Sequence, residues 1–414
     1  MTVPRVFVIG AGLSGLSAAT FLAEKGVPVE LFEAAPQAGG RCRSYFDPAL
    51  QQIIDNGNHF ILSGNHAAME YLDRIGAAGG LVGPRKARTS FVDIRSGERW
   101  TIAPNDGPLP LWLFDKDRRV PGTGPADYLE IVKLLFARPS QRIEDVLSCR
   151  GPLWERLLHP FFLGALNTEP GGASAMLAGA LVRETFARGG QACRTRIAHP
   201  TLASVFVDPA LSFLNTHAAK VSFGQKLRRI VLDGAQARAL EFPERTIALS
   251  ASDTVVLAVP PYVASELVPQ TAVPDRFSAI VNAHFLLAPP GDAAPMLGVI
   301  GGTAEWIFSF ADRISVTISG ADRLMDEARE DLAKRIWAEV ARATGLKGDL
   351  PQWQIVKEKR ATFAATPEQE RRRPGARTRW RNLTLAGDWT ATGLPATIEG
   401  AIRSGYEAAR LAAR

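Results

Sequence analysis

Near the start of the chain, Val6-Phe7-Val8-Ile9 runs without a break into Gly10-Ala11-Gly12-Leu13-Ser14-Gly15, and the helical run Leu16 to Lys25 comes next. A second apolar run, Val27 to Phe32, is closed by Glu33. Few segments restrict a fold so strongly. A continuous apolar strand, a glycine-punctuated turn, a helix and a second strand make a βαβ unit of a doubly wound sheet. The turn lets backbone touch a pyrophosphate at a helix N-terminus, and an acid about 20 residues on meets ribose hydroxyls. The spacing therefore predicts an α/β protein with a Rossmann-like dinucleotide site built from Gly10, Gly12, Leu13, Ser14, Gly15 and Glu33. An ordinary βαβ turn would explain the glycines, but it leaves Glu33 and a second signature near the other end without a role.

The residues after Glu33 favour FAD over NAD. Gly39-Gly40-Arg41, with Arg43-Ser44 behind, adds a glycine pair where backbone passes close to a cofactor and an arginine that neutralises phosphate. At the far end, Leu383 to Asp388 leads into Gly393-Leu394-Pro395-Ala396-Thr397-Ile398-Glu399-Gly400. Gly387 and Asp388 end a buried strand, where the acid accepts from ribityl or ribose hydroxyls. The helix after Pro395, Ala396 and Thr397 aims its N-terminus, about half a positive charge, at the flavin and favours the anionic reduced form. Pro260, which stops the apolar strand Thr254 to Val259, joins the cofactor set.

At 414 residues, 46% hydrophobic and 22% charged, the chain has material for two interleaved domains. The expected division is a discontinuous FAD domain of residues 1–76, 195–270 and 380–414. The remainder, 77–194 and 271–379, forms an α+β substrate domain. Phe206 to Val259 reads as strand-rich, Asp322 to Thr344 as one amphipathic helix, and Glu368 to Arg379 as a solvated loop. Cys42, Cys149 and Cys193 lack metal or redox spacing, so no metal site is expected. The first strand begins within a few residues of Met1, leaving no room for a signal peptide, and no apolar stretch reaches about 18 residues. A cytoplasmic protein is expected.

The net charge of +6 comes mostly from dispersed arginines without a nucleic-acid motif, so a nucleic-acid partner is not expected. Within 109–136, Trp112, Leu113 and Phe114 stand beside Lys116, Arg118 and Arg119, and a helical run from Tyr128 to Phe136 lies just beyond. That pattern predicts peripheral contact with an anionic membrane. A substrate-domain core with a solvated basic turn fits it equally.

Taken together, the glycine turn, Glu33, Gly39-Gly40-Arg41, Val255 to Pro261 and Ala386-Gly387-Asp388 resemble the flavin amine-oxidase and phytoene-desaturase superfamily. The resemblance narrows with Asp55-Asn56-Gly57-Asn58-His59, Leu166-Asn167-Thr168, Glu305-Trp306-Ile307-Phe308, Lys357 to Phe363, and Trp389 through Glu399. These are similar to the squalene-associated FAD-dependent desaturases, among them enzymes that strip the allylic hydroxyl from a C30 isoprenoid alcohol in bacterial squalene and hopanoid synthesis.

The resemblance implies a glutathione-reductase-like FAD domain of the amine oxidase type and a lipophilic C30 alcohol substrate. It also implies an electron donor such as NAD(P)H or a reductase, other enzymes of the pathway as partners, and a place at the inner face of the bacterial cytoplasmic membrane. The chemistry requires a proton donor for the leaving oxygen, a dry and electron-rich surround for the allylic cation, and a hydride source. Asp55 and His59 stand just after an early strand, and His59 titrates near neutrality; a histidine bonded to backbone fits that position as well. Trp306 offers a ring face to a cation, or is a core tryptophan. On a strand from Lys357 to Phe363, Glu358, Arg360 and Thr362 would share one face, which makes Arg360 a candidate unless the strand is merely ion-paired and solvated. Some amine oxidases of the superfamily place a lysine by the flavin; no equivalent is identified here. A phytoene-type desaturase running the flavin in the opposite direction, and a flavin-bearing isoprenoid scaffold without catalysis, remain alternatives.

Overall fold

Two sheets carry the architecture, each assembled from distant stretches of chain. In the computed structural model, which describes residues 4–413, a five-stranded parallel sheet has the spatial order Lys220–Ser222, Val29–Phe32, Val6–Ile9, Thr254–Leu257, Leu383–Leu385. Parallel strands are covered on both faces, and the side chains here divide accordingly. Phe7, Ile9, Phe32, Val255 and Leu257 pack with Ile230, Leu240 and Phe242 of the antiparallel ribbon Arg229–Asp233, Gln236–Glu241, Thr246–Ala248. Val6, Val8, Leu31 and Val256 pack with the helices Leu13–Glu24 and Ile398–Ala412.

A seven-stranded sheet has the order Trp353–Phe363, Phe277–Phe285, Ile314–Ile318, Trp306–Ser309, Met296–Ile300, Thr89–Asp93, Arg99–Ile102. Val281, Ala283, Phe285, Ile314, Val316 and Ile318 cover the helix Arg329–Thr344 through its Leu332, Ile336 and Val340. Side chains alternate across a strand, so the opposite face carries Asn282, His284, Ser315 and Thr317 with Trp306 and Phe308. Over this face lies a layer of short helices: Leu111–Phe114, Pro125–Phe136, His159–Leu166 and Ala175–Glu184.

Four sequence expectations need correction. The first part of 206–259 is helical, with Leu202–Phe206 running up to it and Asp208–Thr216 inside it. Thr201 caps the first of these helices, and Pro209 sits in the first turn of the second, where its missing N–H costs nothing. The amphipathic helix begins at Arg329, not Asp322. Lys357 explains this, since its Nζ donates to the carbonyls of Leu324, Met325 and Glu327 and holds that connection outside the helix. Trp112 and Leu113 are buried in the core rather than presented outward. The segment 368–379 is not simply solvated, because the Arg373 side chain within it is 0% exposed.

Candidate active site

The three glycines of the first turn serve different needs. Gly10 has φ +105°, and a Cβ there would lie 2.4 Å from the Ala258 carbonyl oxygen. A Cβ on Gly15 would lie 1.8 Å from the Gly10 carbonyl oxygen. Both are demanded by the fold itself. Gly12 has φ −73°, and a Cβ there would meet no atom within 4 Å. The space beside it is open, as a pyrophosphate at this turn would require. The helix Leu13–Glu24 starts at Gly12 with no side-chain cap and no acid in its first turn, leaving free N–H groups for a phosphate.

The other residues expected to bind the cofactor are linked to this turn as follows. Glu33 accepts from the Ala11 N–H at 2.6 Å and the Ala35 N–H at 2.8 Å, so its carboxylate lies against the glycine loop. The Gly39 N–H donates to the Ala11 carbonyl at 2.8 Å, which brings Gly40 against Gly12. Arg41 then reaches across the molecule, donating to Asp388 Oδ1 at 2.7 Å and to the Ala361 carbonyl at 2.6 Å. Burial works against the Arg41 charge, but Asp388 outweighs it and the pKa is raised. Trp389 Nε1 donates to the Val259 carbonyl at 2.9 Å, next to Pro260. Beyond Pro395 and Ala396, Thr397 caps the helix Ile398–Ala412 by accepting from the Gly400 N–H at 3.0 Å. Asp388→Ala is expected to weaken flavin binding by about 1–3 kcal/mol while sparing the fold, since Arg41 is half exposed and can be hydrated; fluorescence titration of apoprotein with FAD measures it.

The proposed catalytic residues are placed less uniformly. Asp55 is buried and points into the protein: its Oδ1 accepts from the Ser44 hydroxyl at 2.6 Å and from the Leu202 N–H at 2.9 Å, with Arg313 at 4.0 Å. It fastens the helix Leu202–Phe206 with its carboxylate engaged inside the protein, which corrects its candidacy as proton donor. Burial raises its pKa. His59 lies half-buried beside Arg41, and burial together with that charge lowers its pKa to about 4. It is therefore a neutral imidazole near neutrality and not the cationic acid expected from its ordinary value.

Arg360 is also displaced. Opposite Ala279 the strand Trp353–Phe363 carries a bulge, with Ser278 pairing Thr362 and Ile280 pairing Glu358. The bulge breaks the alternation and turns Arg360 outward over the rings of Tyr262, at 4.6 Å, and Phe277, at 5.9 Å. There it lines a surface cavity of about 490 Å³ with Tyr262 and Asp275. Trp306 is buried in an aromatic wall, its ring 6.2 Å from Phe60 and 5.7 Å from Phe91, with Phe308 6.5 Å from Phe60.

Sequence reasoning missed the polar row beside this wall. Thr317 donates to Asn282 Oδ1 at 2.8 Å, and Asn58 Nδ2 donates to Thr317 Oγ1 at 3.2 Å. The row fastens the turn Asn56–His59 to the sheet. Its signal was present: Asn282 and His284 interrupt an apolar strand at every second position, as do Ser315 and Thr317 on the neighbouring one. Glu305, just ahead of the strand Trp306–Ser309, accepts from the Ser319 N–H at 2.8 Å. Burial pushes its pKa up from the ordinary 4.5 to about 7. The folded protein thus holds this proton more tightly than the unfolded chain, so stability falls as pH rises from 4.5 toward 7. Glu305→Gln should remove that part of the slope in denaturation curves taken across the interval.

The whole arrangement is matched by a family model for flavin-containing amine oxidoreductases over residues 13–413. The chain belongs to that family. Hydroxysqualene dehydroxylase of Rhodopseudomonas palustris is 53% identical over 98% of this chain and 97% of its own length. The enzyme of that name from Sinorhizobium fredii is 50% identical over 99% and 98%. Among solved structures, cyclohexylamine oxidase from Brevibacterium oxydans superposes with a TM-score of 0.72 at 16% identity, covering 100% of this chain and 99% of that one. Like its family, this flavin-containing amine oxidoreductase is an FAD-dependent enzyme. The open cradle at Gly12, the uncapped helix start and the Arg41–Asp388 pair fit that group. No helix among the described residues is long and apolar enough to cross a membrane.

Proposed function

We propose that this protein reduces hydroxysqualene to squalene; its half-identical relatives carry the name hydroxysqualene dehydroxylase. The observation that carries the reading is that identity over nearly the full length of both chains; the wall of Trp306, Phe308 and half-exposed Phe60 supports it. In the reaction the allylic C–O bond breaks with its electron pair going to oxygen, which leaves as water after taking a proton. The carbon gains hydrogen with two electrons. Reduced FAD, when bound, supplies that hydride.

The chain's own residues have three tasks. Arg41, Asp388 and the glycine turn hold the cofactor domain's side of the cleft. The aromatic wall excludes water and turns ring faces toward a developing cation, each favourable contact worth about 2 kcal/mol when desolvated. His59, neutral by virtue of its surroundings, accepts a hydrogen bond without setting a competing positive charge beside the cation. We further propose NAD(P)H or a reductase as electron donor, and a location at the inner face of the bacterial cytoplasmic membrane.

The test is anaerobic incubation of the dithionite-reduced holoenzyme with hydroxysqualene. Squalene is the expected product. Absence of squalene, with oxidation of a polyene by the oxidised enzyme, would replace this reading with a desaturase.

A further inference from the structure

Among the described residues, every large apolar side chain more than 60% exposed lies between positions 109 and 136: Leu109, Leu111, Phe114, Leu129 and Phe136, with Val132 at 47% beside them. The short helix Pro125–Phe136 divides at a period of three. Tyr128, Ile131 and Leu134 face inward, while Leu129 and Val132 face solvent with Phe136. The neighbouring turn does the same with Trp112 and Leu113 inside and Leu111 and Phe114 outside. Soluble surfaces scatter such side chains singly; a cluster marks a contact.

The cluster is held rigidly. Asn105 accepts from the Trp112 N–H at 3.1 Å and donates to the Leu109 carbonyl at 2.8 Å. The Trp112 and Tyr128 rings meet edge to face at 5.4 Å, and a Cβ on Gly179 would lie 2.1 Å from the Leu134 carbonyl, so the helix Ala175–Glu184 seats this layer closely. Arg118 and Arg119 are spent on the same task, bonding the carbonyls of Ala103 and of Leu113 and Thr123. Both side chains are thereby partly committed to backbone, and each is only partly exposed. Asp115, Asp127 and Glu130 accept from backbone N–H groups of Asp117, Gly124 and Ser148. Lys116, Lys133 and Arg138 extend exposed around the rim.

The exposed cations Lys116, Lys133 and Arg138 around an apolar face select the occupant, an anionic lipid surface. The inward row, Trp112, Tyr128, Ile131 and Leu134, belongs to the same continuous apolar cluster as Trp306 and Phe308. The exposed face is thus backed by the same packed apolar core that carries the aromatic wall. We propose that this face docks on a lipid bilayer and is where an apolar substrate enters from the membrane. The inference rests on the substrate proposed above, a C30 alcohol that resides in membranes and not in water.

The experiment uses the holoenzyme and vesicles of phosphatidylcholine with a quarter phosphatidylglycerol. Wild type should float with the vesicles. The triple variant Leu129→Ser, Val132→Ser, Phe136→Ser should partition on the order of tenfold less or worse at unchanged flavin content, as should Leu109→Ser, Leu111→Ser, Phe114→Ser. Both variants should turn over a short, water-soluble allylic alcohol like wild type and lose turnover of hydroxysqualene presented in vesicles. Equal flotation of wild type and variants overturns the proposal. So does a wild type that does not float but sediments as a dimer the substitutions dissociate, which would make the face a self-contact. If no form reduces either alcohol, the substrate reading fails, while flotation still decides the membrane contact.

Discussion

Replacing Gly12 by valine is expected to empty the protein of flavin and leave it folded. The reason is the difference between this glycine and its neighbours. Gly12 has an ordinary φ of −73°, which valine adopts without strain, and its added side chain would meet no protein atom within 4 Å at Cβ. The branched side chain would instead occupy the space in front of the first N–H groups of the helix Leu13–Glu24, where a pyrophosphate has to lie within hydrogen-bond reach. FAD affinity should fall by far more than tenfold, a loss well above roughly 1.4 kcal/mol, so that flavin absorbance per protein is largely lost while circular dichroism stays that of the wild-type apoprotein. Gly15→Val is the contrast: its Cβ would stand 1.8 Å from the Gly10 carbonyl oxygen, so that variant should fail to fold. Full flavin occupancy in Gly12→Val would place the phosphates elsewhere.

Arg373→Met is expected to cause a large loss of stability in a protein that still folds. The Arg373 side chain is 0% exposed, pairs with Glu370 at 2.6 Å and donates to the Asp388 carbonyl at 3.1 Å, to the Thr390 carbonyl and to Thr392 Oγ1 at 2.9 Å. It also lies 4.8 Å from the centre of the Phe363 ring. Methionine matches the stem but abandons a buried Glu370 carboxylate and two carbonyls. Breaking a buried pair from one side costs about 3–5 kcal/mol. Because the lost bonds hold the loop that carries Asp388, flavin affinity should fall with stability. Urea denaturation of the apoprotein and a flavin titration measure the two effects separately. A stability change under about 1 kcal/mol would mean that water replaces the guanidinium.

Arg373 also shows why parts of the chain mislead. In sequence it stands in Glu370-Arg371-Arg372-Arg373-Pro374, which has the composition of a solvated loop. Its burial depends on acceptors at 388–392, and nothing in the local run announces them. Trp112 and Leu113 are misplaced by sequence for a related reason: an apolar run beside cations reads the same whether its large residues face lipid or a core. The helix period separates the two sets only once the partner layer is known. The exposed rows, Leu111 with Phe114 and Leu129 with Val132, are set by that layer.

Asp55, His59 and Arg360 depart from the local pattern for a third reason. Asp55 and His59 are four residues apart in one motif, yet one is turned inward to Ser44 and Leu202 and the other lies beside Arg41. A side chain's direction at the end of a strand depends on the next turn, and here that turn is fastened by Asn282 and Thr317, more than two hundred residues away. Arg360 obeys strand alternation in the sequence and loses it to a bulge opposite Ala279. Bulges have no reliable local signature, because the extra residues are defined only by the partner strand's register.

By itself, then, the sequence determined the parts whose requirements are local. A strand, a glycine turn and a helix within twenty residues can be built in few ways, so Gly10, Gly12, Gly15 and Glu33 stand together in the structure around one turn. The distant signature at Gly387 and Asp388 was legible for the same reason, since a buried strand ending in a glycine and an acid carries its own geometry. Only the tertiary structure decided which charges are buried, which apolar residues remain outside, and what proton each titratable group holds. Those properties are sums over neighbours brought from far along the chain: burial and Arg41 set His59 to about 4, and burial leads in raising Glu305 to about 7. Local pattern specifies backbone; the dielectric and the partners of a side chain exist only after folding.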